Sequence, residues 1–134
     1  MKFNPMKVIF AITVVFVLGI IFLFVGQVKT YIGNESIEVK GLLTSSTTVN
    51  YNEITSVEYV TSFDIGTREM GLGTTKLNLG TYSNKEFGKY KLYIYSKVNS
   101  FVVVKYGDKA LVFNQSTVRD TEKVYNEFKN KVEE

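Results

Sequence analysis

The segment KYKLYIYS, Lys89–Ser96, carries the clearest β-strand signal in this chain. Apolar residues or tyrosine occupy every second position, and lysine or tyrosine fills the positions between them. This period of two predicts a strand with one face in a core. The residues predicted to point inward are Tyr90, Leu92 and Ile94, and those on the other face are Lys89, Lys91, Tyr93 and Tyr95.

Two further strands are predicted directly after this segment. Asn99-Ser100 can turn the chain into a strand over Phe101–Tyr106. Gly107-Asp108 then suits a tight hairpin into a strand over Lys109–Phe113. The three segments together predict a three-stranded meander.

The pattern then becomes helical. Apolar residues recur at steps of three and four, which is typical of an amphipathic helix that covers an apolar surface. Ser116 or Thr117 suits the N-cap position. The preceding sheet is the surface available to this helix. The stripe consists of Val118, Thr121, Tyr125, Phe128 and Val132.

The chain before Lys89 contains four weaker strand patterns. A glycine-containing loop is predicted at residues 62–75, and a short linker at Lys29–Asn34. The whole pattern therefore predicts a mainly β domain of seven strands closed by one helix. The four upstream strands are predicted at Ser36–Leu42, Thr48–Tyr51, Thr55–Thr61 and Lys76–Tyr82.

This order of elements resembles the bacterial pleckstrin-homology (PH) domain family, over about residues 33–131. The resemblance implies a seven-stranded antiparallel barrel capped by a C-terminal helix, and a membrane address, without implying an enzyme. The segments that carry it are Tyr51–Glu58, Gly66-Thr67-Arg68, Gly71-Leu72-Gly73, Leu79–Tyr82, Phe87–Ile94 and Phe113-Asn114, with Thr121 and Val124-Tyr125 further on.

The N-terminal segment Val8–Gly26 is uncharged and almost wholly apolar. As a helix at about 1.5 Å per residue it would reach roughly 28 Å, close to the ~30 Å hydrocarbon core of a bilayer. A signal peptide would need a small-x-small cleavage site, which Phe24-Val25-Gly26 does not supply. A buried core helix would need a polar face. The sequence thus predicts a cytoplasmic flank and transmembrane anchor at residues 1–29 and the PH-like domain at residues 30–134.

The charges around this segment predict its orientation. Lys2 and Lys7 precede the segment, whereas Lys29 is followed by Glu35 and Glu38. Because positive charge favours the cytoplasmic side, the N-terminus is predicted inside and the domain outside. The predicted location is therefore the cell membrane, crossed once.

Composition excludes several kinds of chemistry. The chain has no cysteine and no histidine, so disulfides, Ser–His–Asp or Cys–His catalysis and zinc binding by these residues are impossible. From Gln27 onward, 14 Lys and Arg face 13 Asp and Glu, which does not indicate a nucleic-acid partner. We therefore expect no catalytic residue, no metal and no cofactor.

Five residues are the predicted partner-binding site: Lys89, Lys91, Tyr93 and Tyr95 on the fifth predicted strand, and Arg68 in the central loop. The lysines could instead protect an edge strand from aggregation. Arg68 could instead pair with Asp64 or Glu69.

The expected function is a non-catalytic binding or scaffolding module for an envelope protein or peptide. An extended peptide would add itself beside Lys89–Ser96 and lie against the C-terminal helix. The alternative is a module that contacts anionic lipid headgroups through its lysine- and tyrosine-rich strands. The loop Gly41–Ser46, where PH domains that bind phosphoinositides carry basic residues, has none.

Overall fold

The computed structural model describes residues 4–25, 27–42 and 44–134, and the side chains of these residues except those of 22–25. The described residues form two helices and nine strands, the strands lying in two sheets. The helices are α1 (Pro5–Val25) and α2 (Val118–Val132), and the strands are β1 (Lys29–Ile32), β2 (Ser36–Lys40), β3 (Thr47–Asn50), β4 (Ile54–Val60), β5 (Thr67–Gly73), β6 (Leu77–Asn84), β7 (Gly88–Tyr95), β8 (Phe101–Tyr106) and β9 (Lys109–Phe113).

The sheets differ in size and in topology. The small sheet has the order β1-β2-β3, and the large sheet has the order β4-β8-β9-β7-β6-β5. Neighbouring strands are antiparallel except β7 and β9, which run parallel over Lys91–Tyr93 and Leu111–Phe113. The predicted hairpin at Gly107 is present, with φ of +56° at that glycine. The predicted meander is wrong, because β9 and not β8 lies beside β7.

The mainly β fold with a C-terminal helix is confirmed, but the predicted strand count and the purely antiparallel pairing are wrong. Strands β1 and β5 lie in segments that the sequence predicted to be a linker and a loop. None of their residues is fully buried, so burial imposes little apolar alternation on their sequences. Strand β1 belongs to its sheet because it pairs with β2, and β5 because it pairs with β6. Hydrophobic periodicity does not reveal such main-chain pairing.

The first core lies between the two sheets. Buried residues of β2 and β3 face buried residues of the large sheet, including Leu79 and Phe113. Helix α2 closes this core with Phe128, whose ring packs edge-on against Tyr51 and Phe113. The small-sheet members of this core are Ile37, Val39 and Val49.

A second core covers the opposite face of the large sheet. Phe63, from the segment between β4 and β5, contacts the rings of Phe87, Tyr90 and Phe101. The Tyr90 hydroxyl donates a hydrogen bond of 2.7 Å to the carbonyl of Ile65, which holds the segment in place. Strand β7 is therefore buried on both faces, and the predicted solvent-exposed face is wrong at Tyr93 and Tyr95.

Helix α2 begins as the sequence predicted. Thr117 is the N-cap, and its hydroxyl accepts a hydrogen bond of 3.0 Å from the main-chain N–H of Asp120. The helix packs over β4 and β8. In the large sheet, β9 lies between these two strands and β7, where a peptide groove beside α2 was predicted.

Helix α1 is apolar, and side chains such as Ile9, Phe10 and Phe16 are exposed. No helix among the fully described residues is both long and apolar enough to cross a membrane. The predicted transmembrane helix is therefore corrected. Lys2 and Gly26, used in that prediction, lie outside the described residues, and the predicted location and orientation stay predictions.

Gly71 and Gly80 face each other in the pairing of β5 with β6. Both have φ values that L side chains rarely adopt, +123° and +129°. A Cβ atom at Gly80 would lie 2.2 Å from the main-chain oxygen of Met70, and one at Gly71 would lie 2.0 Å from that of Leu79. Only glycine at both positions allows the two strands to approach this closely.

Gly80→Ala should therefore destabilise the protein more than Gly88→Ala does. Gly88 also has a positive φ of +67°, but no atom lies within 4 Å of a Cβ placed there. We expect about 1–2 kcal/mol for Gly88→Ala, from backbone strain alone, and at least about 2 kcal/mol more for Gly80→Ala. Urea unfolding of both variants measures this, and equal losses would contradict the close approach.

Phe128→Ala should cost about 3–5 kcal/mol, because this fully buried ring joins α2 to the first core. Val118→Ala is a suitable control on the same helix, since Val118 is exposed. The free energy of unfolding from denaturant melts decides the matter. A loss below about 1 kcal/mol for Phe128→Ala would mean that α2 is not docked as described.

Candidate functional site

The five predicted site residues do not form one surface. Lys89 is exposed near the turn that precedes β7. Lys91 and Tyr93 line a small pocket, and Tyr95 lines a larger cleft elsewhere. Arg68 lies on β5, a strand at the end of the large sheet. The structure thus divides these residues between two concave regions and two exposed positions.

Tyr93 is a core residue with a structural hydroxyl. Its side chain is 1% exposed. The hydroxyl donates a hydrogen bond of 2.7 Å to the carbonyl of Ser45 and forms another of 2.7 Å with the hydroxyl of Thr47. Burial raises the pKa of the Tyr93 phenol, and the bond from Thr47 acts in the opposite direction. Tyr93 therefore fastens the end of the loop between β2 and β3 onto β7.

Tyr95 joins the two sheets at the other end of β7. Its hydroxyl accepts a hydrogen bond of 3.0 Å from the main-chain N–H of Val28. The buried side chain of Asn114 accepts from the Tyr95 N–H at 2.7 Å and donates to its carbonyl at 3.3 Å. The Asn114 side chain thereby satisfies the main-chain N–H and C=O of Tyr95, just beyond the stretch of β7 that pairs with β9.

Arg68 does not form the predicted ion pair with Asp64 or Glu69. Its guanidinium lies beside the hydroxyl of Tyr82, where it opposes the rise in the pKa of that phenol caused by burial. The Tyr82 hydroxyl donates in turn to the side-chain oxygen of Asn78 at 3.0 Å. Arg68 is therefore part of a polar chain at the margin of the second core, to which Tyr82 belongs.

The Lys91 pocket is a cavity of about 170 Å³ next to β5. The Lys91 ammonium donates a hydrogen bond of 2.8 Å to the hydroxyl of Thr81. The Thr44 hydroxyl is buried without a hydrogen-bond partner among the described residues. The described lining consists of Thr44, Ser45, Met70, Gly71, Gly80, Thr81, Lys91 and Tyr93, and Lys91 is the one charged residue among these.

The basal cleft is larger, about 730 Å³, and lies where the chain enters β1. Lys76 and Lys97 line it, and none of its described lining residues is acidic. Tyr95 and Val98 supply apolar surface. The remaining lining residues offer amide and hydroxyl groups and a buried valine: Gln27, Val28, Thr75, Gln115 and Ser116.

Among their described lining residues, neither region has an acidic side chain that could bind a metal ion. Over the described part of the chain, no group of three or more Asp and Glu residues could hold a metal ion. The polar groups of both regions are lysine, amide and hydroxyl groups, which suit recognition of an anionic or hydrogen-bonding partner.

The model of the bacterial PH domain family matches residues 28–132. The chain belongs to the bacterial PH domain family. No curated protein and no solved structure matches it significantly. The match begins at Val28, which lines the basal cleft, and ends at Val132, the last residue of α2.

Membership of the bacterial PH domain family indicates the general role. PH domains are generally non-catalytic binding modules, so this domain is a binding or scaffolding module. The match carries no information about anchoring in a membrane. Both clefts described above lie within the matched range, except for Gln27.

Sequence reasoning missed the basal cleft of this PH domain. Lys76 and Lys97 come together because β6 pairs with β7, with Leu77 opposite Tyr95. Gln115 joins them because β9, which it follows, runs beside β7. The excess of lysine between Lys76 and Lys109, seven lysines against two acids, was the available signal. It indicated a positive surface without locating it.

Tyr93→Ala should destabilise the domain by about 3–5 kcal/mol, because it empties a fully buried position. Tyr93→Phe should cost about 1–2 kcal/mol, since it leaves the Ser45 carbonyl and the Thr47 hydroxyl without their partner. Tyr31→Ala is the control, as Tyr31 is 53% exposed. Urea melts followed by tyrosine fluorescence measure the free energy of unfolding of all three variants. If Tyr93→Ala left that free energy unchanged, Tyr93 would be exposed, as the sequence predicted.

Proposed function

We propose that this PH domain is a non-catalytic module that binds a partner polypeptide, and that the basal cleft receives an acidic segment of that partner. The observation that carries the proposal is the charge of the cleft. The exposed Lys97 lines it together with Lys76, and none of its described lining residues carries a carboxylate. Such a surface attracts an acidic segment and excludes a basic one.

The remaining lining of the cleft suits a peptide chain. Tyr95 and Val98 offer apolar contact, while Gln115 and Thr75 offer groups that hydrogen-bond to a main chain. The cleft volume lies within the range of about 300–1,000 Å³ in which proteins bind ligands. Tyr95 is held rigidly by Val28 and Asn114, so little conformational freedom is lost on binding.

This proposal places the partner in the basal cleft and not in the groove that the sequence predicted between β7 and α2. Strand β6 pairs with one side of β7, and β9 with the other over Lys91–Tyr93. Beyond that stretch, Asn114 bonds to the main chain of Tyr95. Among the described residues, the main chain of β7 is therefore already paired on both sides at residues 91–93 and bonded to Asn114 at Tyr95, whereas the basal cleft at the end of β7 is open.

Anionic lipid headgroups are the alternative ligand, as the sequence also suggested. The same two lysines would attract them. The amide and hydroxyl groups around Tyr95 favour the polypeptide, because they match the donors and acceptors of a main chain.

Lys97→Glu should weaken binding of an acidic peptide about tenfold. The measurement is fluorescence anisotropy of the full chain, in detergent solution, with a labelled peptide of alternating glutamate and glycine. Lys97 is exposed, so its replacement should leave the fold intact. Lys85→Glu is the matched control, because Lys85 is an exposed lysine outside the cleft. Binding should also fall as salt is raised.

Three results would contradict the proposal. One is equal binding of a peptide with glutamine in place of glutamate. Another is an equal loss with Lys85→Glu. The third is binding of water-soluble dihexanoyl phosphatidylserine with no binding of the acidic peptide, which would favour the lipid alternative.

A further inference from the structure

Strand β5 has one side without a partner strand among the described residues. It ends the large sheet, and β6 is the strand to which it is paired. Six of its seven residues are exposed, and Met70 is 74% exposed. The open side of such a strand presents main-chain N–H and C=O groups that can pair with another strand.

The register of β5 defines which part of this edge is regular. A bulge between Arg68 and Met70 interrupts the pairing with β6. Bulges bend a strand and hinder the addition of another. The pairing is regular from Met70 to Gly73, so this stretch is where a new strand can align.

The Lys91 pocket lies next to this regular stretch. Met70 and Gly71 form the wall of the pocket on the β5 side, and Lys91 lies two strands further into the sheet. In a strand, every second side chain points to the same face. On the face that Met70 shares with the pocket, a long side chain of a strand added beside Met70–Gly73 can lean across β5 into the pocket, because Gly71 and Gly80 have no side chains in the way.

The chemistry of the Lys91 pocket selects a carboxylate. Lys91 is its one charged residue and donates to the Thr81 hydroxyl, with further N–H groups available on the ammonium. The buried Thr44 hydroxyl, which has no partner among the described residues, can donate to an incoming oxygen. A buried polar group of this kind is uncommon unless a ligand or water satisfies it.

The size of the pocket agrees with this assignment. A volume of about 170 Å³ is several times the ~30 Å³ that one water molecule occupies in the liquid. It accommodates a carboxylate with its short carbon stem.

We propose that β5 binds an extended polypeptide by strand addition, with one acidic side chain of that polypeptide in the Lys91 pocket. This site is separate from the basal cleft and does not depend on the function proposed for it. Two polypeptide sites on one domain would make the protein a scaffold that holds two segments at once.

The test uses the full chain and a labelled nine-residue peptide, STVTETVTS, which alternates β-forming residues around a central glutamate. A second peptide carries glutamine at the centre, and a third carries N-methyl groups on its three central residues. The glutamate peptide should bind about tenfold more tightly than the glutamine peptide at low salt. The N-methylated peptide should not bind, because it cannot form main-chain hydrogen bonds on either edge.

Lys91→Met should remove the preference for glutamate over glutamine and leave the glutamine peptide's affinity unchanged. Lys89→Met is the matched control, since Lys89 is on the same strand and the same face but outside the pocket. It should keep the tenfold preference. Hydrogen exchange should show slowed amides in residues 70–73 when the glutamate peptide is bound, in the wild type and in both variants.

Several results would overturn the proposal. They are no binding of the glutamate peptide, equal binding of the glutamate and glutamine peptides, binding of the N-methylated peptide, or slowed exchange elsewhere with residues 70–73 unchanged. If Lys91→Met unfolds, Thr81→Val and the comparison of the two peptides on the wild type still decide the matter. Loss of binding of the glutamate peptide in the Lys97→Glu variant would show that this peptide binds in the basal cleft instead.

Discussion

Burial of both faces of β7 is the constraint on which the remaining structure depends. One face contributes Tyr93 and Tyr95 to the core beneath the small sheet, and the other contributes Leu92 and Ile94 to the core beneath Phe63. Each face then needs its own cover. The small sheet and α2 cover the first, and the segment between β4 and β5 covers the second.

The hydroxyl groups of β7 show how a strand with tyrosine on both faces tolerates such burial. Each buried phenol reaches a main-chain group at the edge of its core: Tyr90 at Ile65, Tyr93 at Ser45 and Tyr95 at Val28. A buried tyrosine without a partner would cost free energy. These bonds also fix where the covering segments sit, and so they position both candidate sites.

Sequence periodicity predicted the helix and the strands that have one buried apolar face. It failed for the strands that have no such face. The helix stripe ending at Phe128 and the strand at Phe101–Tyr106 were predicted correctly because burial sets their pattern. Strands β1 and β5 have few buried side chains, so their pairing left no signal. Alternation in β7 predicted a solvent face because tyrosine and lysine are amphipathic, and only the fold shows that the rings at Tyr93 and Tyr95 are buried. The basal cleft depends on the pairing of β7 with both β6 and β9, and the Lys91 pocket on the pairing of β5, β6 and β7 beneath the loop between β2 and β3. No local pattern encodes these long-range pairings.

The hydrogen bond between Val28 and Tyr95 joins residues 67 positions apart. During synthesis the small sheet leaves the ribosome well before β7 does, so Ile37, Val39 and Val49 have no core to enter at that stage. Folding of the first half of the domain must therefore wait for the second half. Contacts at such separations slow folding, and the interval leaves the apolar face of the small sheet open to other molecules, including chaperones.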